Sequence, residues 1–244
     1  MYDSNDPDFS LLDLFICFTH CPLLENLVIP ISMGDWHFRR CLPDELPPTI
    51  GLSHLSHLYL DFSYAVDPCR LFDRLFLPAL ICLELTMSLG HITDWHHVQT
   101  MLANSRPPLQ SLILWSVPMT EETLIGCLSY VPTLNELELH GMPCSDRILD
   151  SLTVDEAGAD GSRYLCPWLE TVNFGTTKED NCDFSPRAMT DMIVSRWRDA
   201  KNSGFTRGNT LTLVVCRFKF SRIRSNPEIA QCLNDGLVLT RRTY

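Results

Sequence analysis

The chain has 244 residues, of which 45% are hydrophobic and 20% are charged, and its formal net charge is −11. This composition is typical of a folded protein with a substantial core and excludes a disordered or collagen-like chain. No apolar run approaches the roughly 18 residues of a membrane helix, so a membrane protein is excluded as well. Residues 1–184 hold 8 Lys/Arg and 26 Asp/Glu, an acidic excess that argues against general nucleic-acid binding.

An amphipathic helix is predicted first, since Leu11, Leu14, Phe15 and Phe18 recur at helical spacing. It leads directly into the segment CPLLENL and has the character of the helical half of a repeat. Such a helix at a chain start leaves its neighbour-facing side without a partner. We therefore expect more protein, or a docking partner, to precede residue 1.

A short pattern, Pro-x-Leu-x-x-Leu-x-Leu with small deviations, then occurs six times. The first leucines of the copies lie at 24, 55, 80, 109, 134 and 169, so the gaps are 31, 25, 29, 25 and 35 residues. These gaps are close to the roughly 20 to 29 residues of a leucine-rich repeat. Apolar residues two positions apart point to one side of a strand, so each copy predicts a short strand with one polar side. The central apolar residues are Leu27, Leu58, Leu83, Leu112, Leu137 and Val172.

Helices are predicted between the copies, where apolar residues recur every three or four positions. Their starts are marked by Thr93, Thr120 and Ser145, each followed by an acidic residue that favours a helix N-terminus. Alternating strands and helices predict an α/β leucine-rich repeat solenoid. In this fold a parallel strand stack lies on the concave side, and helices and loops lie on the convex side.

The C-terminal part is basic and less regular. A predicted amphipathic helix carries Arg196, Arg198 and Lys201, which form either a solvated face or a nucleic-acid contact. The register of the next strand is open, because both Leu211–Leu213–Val215 alternation and repeat spacing through Val214 fit the sequence. We predict one domain over 1–244, with irregular repeats over about 10–220 and a helix/strand cap over about 221–244.

The segments CPLLENLVI, LPALICLEL, RPPLQSLIL, VPTLNELEL and CPWLETVNF resemble the leucine-rich repeat region of fungal F-box proteins. The likeness covers roughly residues 10–220. It implies that the repeats recruit the protein substrate of a cullin-RING ubiquitin ligase. It also implies that the ligase adaptor binds only through an F-box, which would lie upstream because none is evident in this chain. A cytoplasmic or nuclear location is expected because the cysteines are dispersed, odd in number and often inside the repeat units, which favours reduced thiols.

Partner binding is expected on the concave side, because the residues flanking each central leucine project there. The predicted partner-binding residues are Tyr59, Asp61, Glu84, Trp115, Glu138 and His140. Two aromatic anchors among carboxylates favour a basic protein segment as the partner. The alternative is that the acids only keep an open surface soluble and that Trp115 packs under a loop.

No catalytic or cofactor motif is present, so we predict that the protein is not an enzyme and binds no cofactor or metal. Two clusters contain residue types that can bind a metal: Cys17, His20 and Cys21; and His91, Asp94, His96 and His97. The alternative is that the cysteines belong to the repeat core and the histidines lie on a solvated helix face. The eleven dispersed cysteines are read as reduced, mostly buried thiols. Two alternatives to the ligase role stay open, a stand-alone repeat scaffold and an undetected cysteine hydrolase.

Overall fold

The computed structural model describes residues 9–31, 47–63, 66–87, 94–154, 164–175, 183–202, 211–216 and 220–241, without the side chains of 199–202. Within these residues the chain is an α/β protein. The strands are β1 (Asn26–Ile31), β2 (Ile50–Gly51), β3 (His57–Phe62), β4 (Leu75–Phe76), β5 (Cys82–Met87), β6 (Ser111–Trp115), β7 (Glu136–His140), β8 (Thr171–Asn173), β9 (Leu213–Val215) and β10 (Val238–Thr240). The helices are α1 (Leu11–His20), α2 (Cys69–Phe72), α3 (His96–Ser105), α4 (Glu121–Ser129), α5 (Asp146–Leu152), α6 (Pro186–Asn202), α7 (Phe220–Arg224) and α8 (Pro227–Asn234).

Eight strands form one parallel sheet in chain order, from β1 through β3, β5, β6, β7, β8 and β9 to β10. The short strands β2 and β4 pair with each other in parallel and form a separate ribbon that the sequence did not predict. Parallel neighbours need a crossover between them, and the segments between the later strands supply it as helices. The predicted parallel arrangement of adjacent repeat strands is confirmed.

The leucine pattern sets the register of the sheet. The central apolar residues of the six copies lie opposite one another in successive strands: Leu27, Leu58, Leu83, Leu112, Leu137 and Val172. All six are buried in one hydrophobic core. A slip by one residue would turn each of them to the other face, so burial of the leucines specifies the pairing.

The three predicted helices with named starts are present as α3, α4 and α5, and successive helices from α2 to α6 pack on one another. Thr120 and Ser145 are the N-caps of α4 and α5, and their side chains accept hydrogen bonds from the backbone N–H groups of Thr123 and Arg147. The third predicted start, Thr93, lies outside the described residues; α3 begins after Trp95, whose side chain makes no capping bond. No described helix has the length and apolar character needed to cross a membrane.

The first helix packs onto the chain itself. Leu14, Phe15 and Phe18 of α1 are fully buried, and a capping box between Ser10 and Asp13 begins the helix. The side of α1 that was expected to lack a partner is thus covered in part. Apolar exposure remains at this end of the sheet, where Leu23 and Val28 are 74% and 70% exposed.

The open register at the C-terminus is resolved in favour of repeat spacing. Val214 lies opposite Val172 and is buried together with Leu211 and Cys216, whereas Leu213 is only half-buried. Asn226 caps α8, and Gly236, at φ 116°, follows the end of this helix. Strand β10 then pairs with β9 and buries Leu239, so it extends the sheet by one strand instead of covering its edge.

Candidate functional site

One face of the sheet carries polar and aromatic side chains in rows that cross the strands. Because the leucines point into the core, the residues between them come to the opposite face. The paired positions form two rows, one with Tyr59, Glu84, Ile113, Glu138 and Asn173, and one with Asp61, Thr86, Trp115 and His140. We call this surface the polar face. It brings together all six residues predicted to bind a partner, from strands β3, β5, β6 and β7.

An aromatic stack lies at the centre of the second row. The rings of Trp115 and His140 are parallel to within 7°, and their centroids are 3.6 Å apart. Trp115 stays half-buried, but His140 is only 2% exposed. His140 therefore supports the indole from one side and offers little surface of its own to a partner.

Glu138 links the two rows. Its Oε2 lies 3.0 Å from Nε2 of His140 and accepts a hydrogen bond of 3.1 Å from Nδ2 of Asn173. Asn173 is 2% exposed, like His140. Nδ1 of His140 and Oδ1 of Asn173 are buried and have no hydrogen-bond partner within the described structure, so both atoms are desolvated without compensation.

Two carboxylates on the polar face have raised pKa values. Burial raises the pKa of Glu84, and the nearby charge of Glu138 raises it further, while His140 acts in the opposite direction. Burial also raises the pKa of Asp61. These carboxylates carry a negative potential that a cation would relieve.

The remaining predicted residues have mixed surroundings. Tyr59 is half-buried beside Glu84 in the adjacent strand. Glu136, one row further, accepts a hydrogen bond of 2.7 Å from the Ser111 hydroxyl. The polar face is therefore not a uniform acidic surface, since some carboxylates have hydrogen-bond donors whereas Oδ1 of Asp61 has none among the described residues.

Arg196 corrects the interpretation of the basic helix. It is 4% exposed and donates hydrogen bonds to the carbonyls of Leu152, Leu165 and Cys166 at 2.6, 2.6 and 2.9 Å. Its guanidinium also lies over the ring of Tyr164. Arg196 is neither a solvated residue nor a nucleic-acid contact, because its guanidinium is buried and bonded to three backbone carbonyls of the chain. Arg198 is exposed and pairs with Glu228 at 2.6 Å, and the side chain of Lys201 is outside the described residues.

The acidic residues at the helix starts have a role that the sequence analysis missed. Glu121 accepts bonds from the N–H and hydroxyl of Ser145 and from the N–H of Ile148, at 2.8, 2.7 and 3.1 Å. Asp94 likewise accepts from the N–H of Thr120 and the hydroxyl of Thr123, both at 2.8 Å. Each acid thus holds the N-terminal turn of the following helix, whose N-cap is Thr120 or Ser145. In the sequence, each of these acids lies about one repeat before the N-cap hydroxyl of the next helix. That spacing could have indicated the contact.

The two clusters with ligand character have structural surroundings. Nδ1 of His97 lies 2.5 Å from Oδ1 of Asp73, and the ring of His96 packs against that of His97. Cys17 and Cys21 lie side by side in and after α1, where burial first and Cys21 second raise the pKa of Cys17. Among the described residues no group of three or more His, Cys, Asp or Glu has the arrangement of a metal site. His91 lies outside the described residues.

Most thiols are in surroundings that disfavour the thiolate. Burial raises the pKa of Cys69, Cys127, Cys166 and Cys216 to about 12. It also raises the pKa of Cys82 on the polar face. A cysteine nucleophile needs the opposite shift, so none of these five thiols supports the hydrolase alternative.

Comparisons with known proteins identify no relative. The sequence matches no protein-family model, no curated protein and no solved structure.

Proposed function

We propose that this protein is a binding module in which the polar face of a leucine-rich repeat solenoid contacts a protein partner. The observation that carries the proposal is the alignment of polar and aromatic residues from successive parallel strands on a single surface. Repeats that contact only their neighbours form extended surfaces of this kind, and such surfaces are used for binding.

The chemistry of the surface favours a basic partner. Glu84 and Asp61 are half-buried carboxylates whose pKa values are raised by burial, so a cationic partner would relieve an existing cost. Trp115 is an aromatic residue held rigidly by its stack on His140. Rigid, partly exposed aromatic residues lose little entropy on binding and are enriched among the residues that dominate interface energies.

A role in substrate recruitment by a cullin-RING ubiquitin ligase is the finer proposal and rests on the sequence resemblance. In that arrangement the polar face binds the substrate and an upstream F-box binds the adaptor. Two measurements separate this role from a stand-alone scaffold. We expect the complete reading frame to encode an F-box before the repeats, and we expect purified adaptor to form no complex with residues 1–244 alone. A stoichiometric complex with residues 1–244, or a complete frame without an F-box, would reject it.

The binding function is tested by quantitative affinity capture with matched variants. We expect partners retained by the parent chain to be lost by Glu84→Lys, which reverses charge on the polar face, and by Trp115→Ala. Glu122→Lys makes the same charge change on α4, where the side chain is 80% exposed, and serves as the control. Glu138 is unsuitable, because it holds buried Asn173 and His140.

Binding kinetics with the purified partner then distinguish the roles of Glu84 and Trp115. For a captured partner, Glu84→Lys should mainly slow association and reduce its salt dependence, whereas Trp115→Ala should accelerate dissociation. Equal retention of the partner by both folded variants and by the control would remove the polar face as the binding surface.

A further inference from the structure

Two cysteines lie one helical turn apart at the end of α1. The backbone N–H of Cys21 donates a hydrogen bond of 2.9 Å to the carbonyl of Cys17, which is the bond that closes one turn of an α-helix. Helix geometry then places their Cα atoms roughly 6 Å apart. A disulfide spans Cα separations of about 4.4 to 6.8 Å. The backbone therefore holds the two cysteines within the range that one disulfide can bridge.

The two thiols also face each other. Burial first, and then the neighbouring charge and hydrogen bond of Cys21, raise the pKa of Cys17. The opposite side of α1 is fixed on the core, where Leu14, Phe15 and Phe18 are buried. The pair thus lies on the outer side of an anchored helix, and its two sulfur atoms are neighbours.

Access from solvent differs between the two thiols. Among the nine described cysteines, Cys21 alone is exposed, Cys17 is half-buried, and six others are buried. A dissolved oxidant therefore reaches Cys21 first. Cys17 lies beside it in the place of a resolving cysteine, the second thiol that converts an oxidised cysteine into a disulfide.

Cys21 can move toward Cys17, because it stands at the end of the regular helix. It is the C-cap of α1, and its φ of −118° and ψ of 63° are not helical. In a helix the Cβ atoms at this spacing are about 5 to 6 Å apart. A disulfide brings them to about 3.5 to 4.5 Å. Since the Cys21 carbonyl accepts a turn bond from the N–H of Leu24, closing the bridge would adjust the turn between α1 and β1.

We propose that Cys17 and Cys21 form a dithiol–disulfide site that is oxidised by a small-molecule disulfide. The Cys21 thiolate attacks one sulfur of that disulfide, breaks its S–S bond and releases one small thiolate. The Cys17 thiolate then attacks the Cys21 sulfur of the mixed disulfide and expels the second small thiolate. Two protein thiols are oxidised, one small disulfide is reduced, and the two protons pass to the released thiolates.

The second step should be fast, because it is intramolecular. A group held this close acts at an effective concentration in the millimolar range or higher. The mixed disulfide on Cys21 should therefore not accumulate while Cys17 is present. The finished bridge ties the last turn of α1 to the turn that leads into β1. No step involves the polar face, so the site is independent of the proposed binding function.

The test treats folded residues 1–244 with glutathione disulfide and maps the products by mass spectrometry after tryptic digestion. The first basic residues of the chain are Arg39 and Arg40, so the tryptic peptide 1–39 contains Cys17 and Cys21 and no other cysteine. We expect this peptide to lose two hydrogen atoms, and we expect dithiothreitol to restore them. Glutathione attached to the peptide should be scarce.

Single variants separate the two steps. Cys17→Ser blocks the second step, so the glutathione adduct on Cys21 should rise about tenfold or more above the parent level. In Cys21→Ser, half-buried Cys17 should form its adduct more slowly than exposed Cys21 does in Cys17→Ser. Cys82 is half-buried like Cys17 but lies on β5, and Cys82→Ser, the matched control, should leave the products of peptide 1–39 unchanged.

Phenylarsine oxide tests the proximity of the thiols without an oxidant. Its arsenic bonds two neighbouring thiols and releases one water, and a single thiol holds it far less tightly. With excess glutathione present, the parent should retain one more arsenical than Cys17→Ser or Cys21→Ser. Circular dichroism checks that each variant is folded.

Three results would overturn the dithiol site. The first is a peptide 1–39 that keeps all its hydrogen atoms after treatment with glutathione disulfide. The second is a glutathione adduct on Cys21 that is as abundant in the parent as in Cys17→Ser. The third is equal retention of the arsenical by the parent and by folded Cys17→Ser.

Discussion

Glu121 at the start of α4 accepts three hydrogen bonds from the first turn of α5, two from Ser145 and one from Ile148. A side chain of one repeat thereby caps the helix of the next. This carboxylate therefore adds polar bonds to the apolar packing of α4 and α5, and it also lies favourably at a positive helix end.

Replacing this carboxylate should lower the stability. We expect Glu121→Ala to reduce the free energy of unfolding by about 1 to 2 kcal/mol, since it removes three hydrogen bonds at the start of α5 while the N-cap Ser145 remains. The adjacent substitution Glu122→Ala removes only an exposed contact of 3.9 Å with Arg147. It should change the free energy of unfolding by less than about 0.5 kcal/mol. Chemical denaturation of both variants measures the difference. Equal losses would contradict the capping role.

The buried guanidinium of Arg196 should matter far more than the exposed one two residues away. Arg196→Met leaves three carbonyls without their donor and should cost about 3 kcal/mol. Arg198→Met, which breaks an exposed pair with Glu228, should cost at most about 1 kcal/mol. Thermal unfolding of the two variants provides the comparison, and a smaller effect at 196 than at 198 would refute it.

The two faces of β6 should respond differently to truncation. Leu112→Ala opens a cavity in the core and should cost about 2 to 5 kcal/mol. Ile113→Ala, one residue later on the half-buried polar face, should cost markedly less. Urea unfolding midpoints of the two variants check this prediction. An unchanged midpoint for Leu112→Ala would reject the register of β6 that places Leu112 in the core.

Asp61 should make stability depend on pH in a defined direction. Burial raises its pKa in the folded protein, so the favourable contribution of the protonated acid is fully present below the ordinary value of 3.8 and is lost as the pH rises through the raised value. Asp61→Asn should therefore stabilise the protein near neutral pH, and this gain should vanish at acidic pH. Unfolding free energies of both proteins across that range give the test. A gain that persists below pH 3.8 would have another cause.

The first strand should promote self-association of residues 1–244. Leu23, just before β1, and Val28 within it are largely exposed, and the described structure pairs β1 on one edge only. Exposed apolar groups beside a free strand edge favour contact with another chain. We expect Leu23→Ser with Val28→Thr to shift sedimentation profiles toward monomer, and Val238→Thr at the other edge to have no such effect. A monodisperse parent at high concentration would contradict the prediction.

Much of the fold followed from local periodicity. The spacing of Leu80, Leu83 and Leu85 predicts a strand with one buried side whatever surrounds it, because the pleat has a period of two. Repetition of that spacing then aligned the strands, since any other register would expose the leucines. The same alternation placed Tyr59, Glu84 and Trp115 on one surface, so the composition of the polar face was predictable as well.

Contacts between distant residues were decided only by the tertiary structure. Arg196 looks like a surface cation on an amphipathic helix, and only the packing of α6 brings it to carbonyls more than 30 residues earlier in the chain. In the sequence His140 has the position of an exposed partner-binding residue, but its stacking on Trp115 and its contact with Glu138 bury it. The sequence by itself determined which side of each strand is apolar, because that depends on neighbours two residues apart. Which polar side chains find partners depends on how the repeats pack, and the leucine pattern carries no information about that.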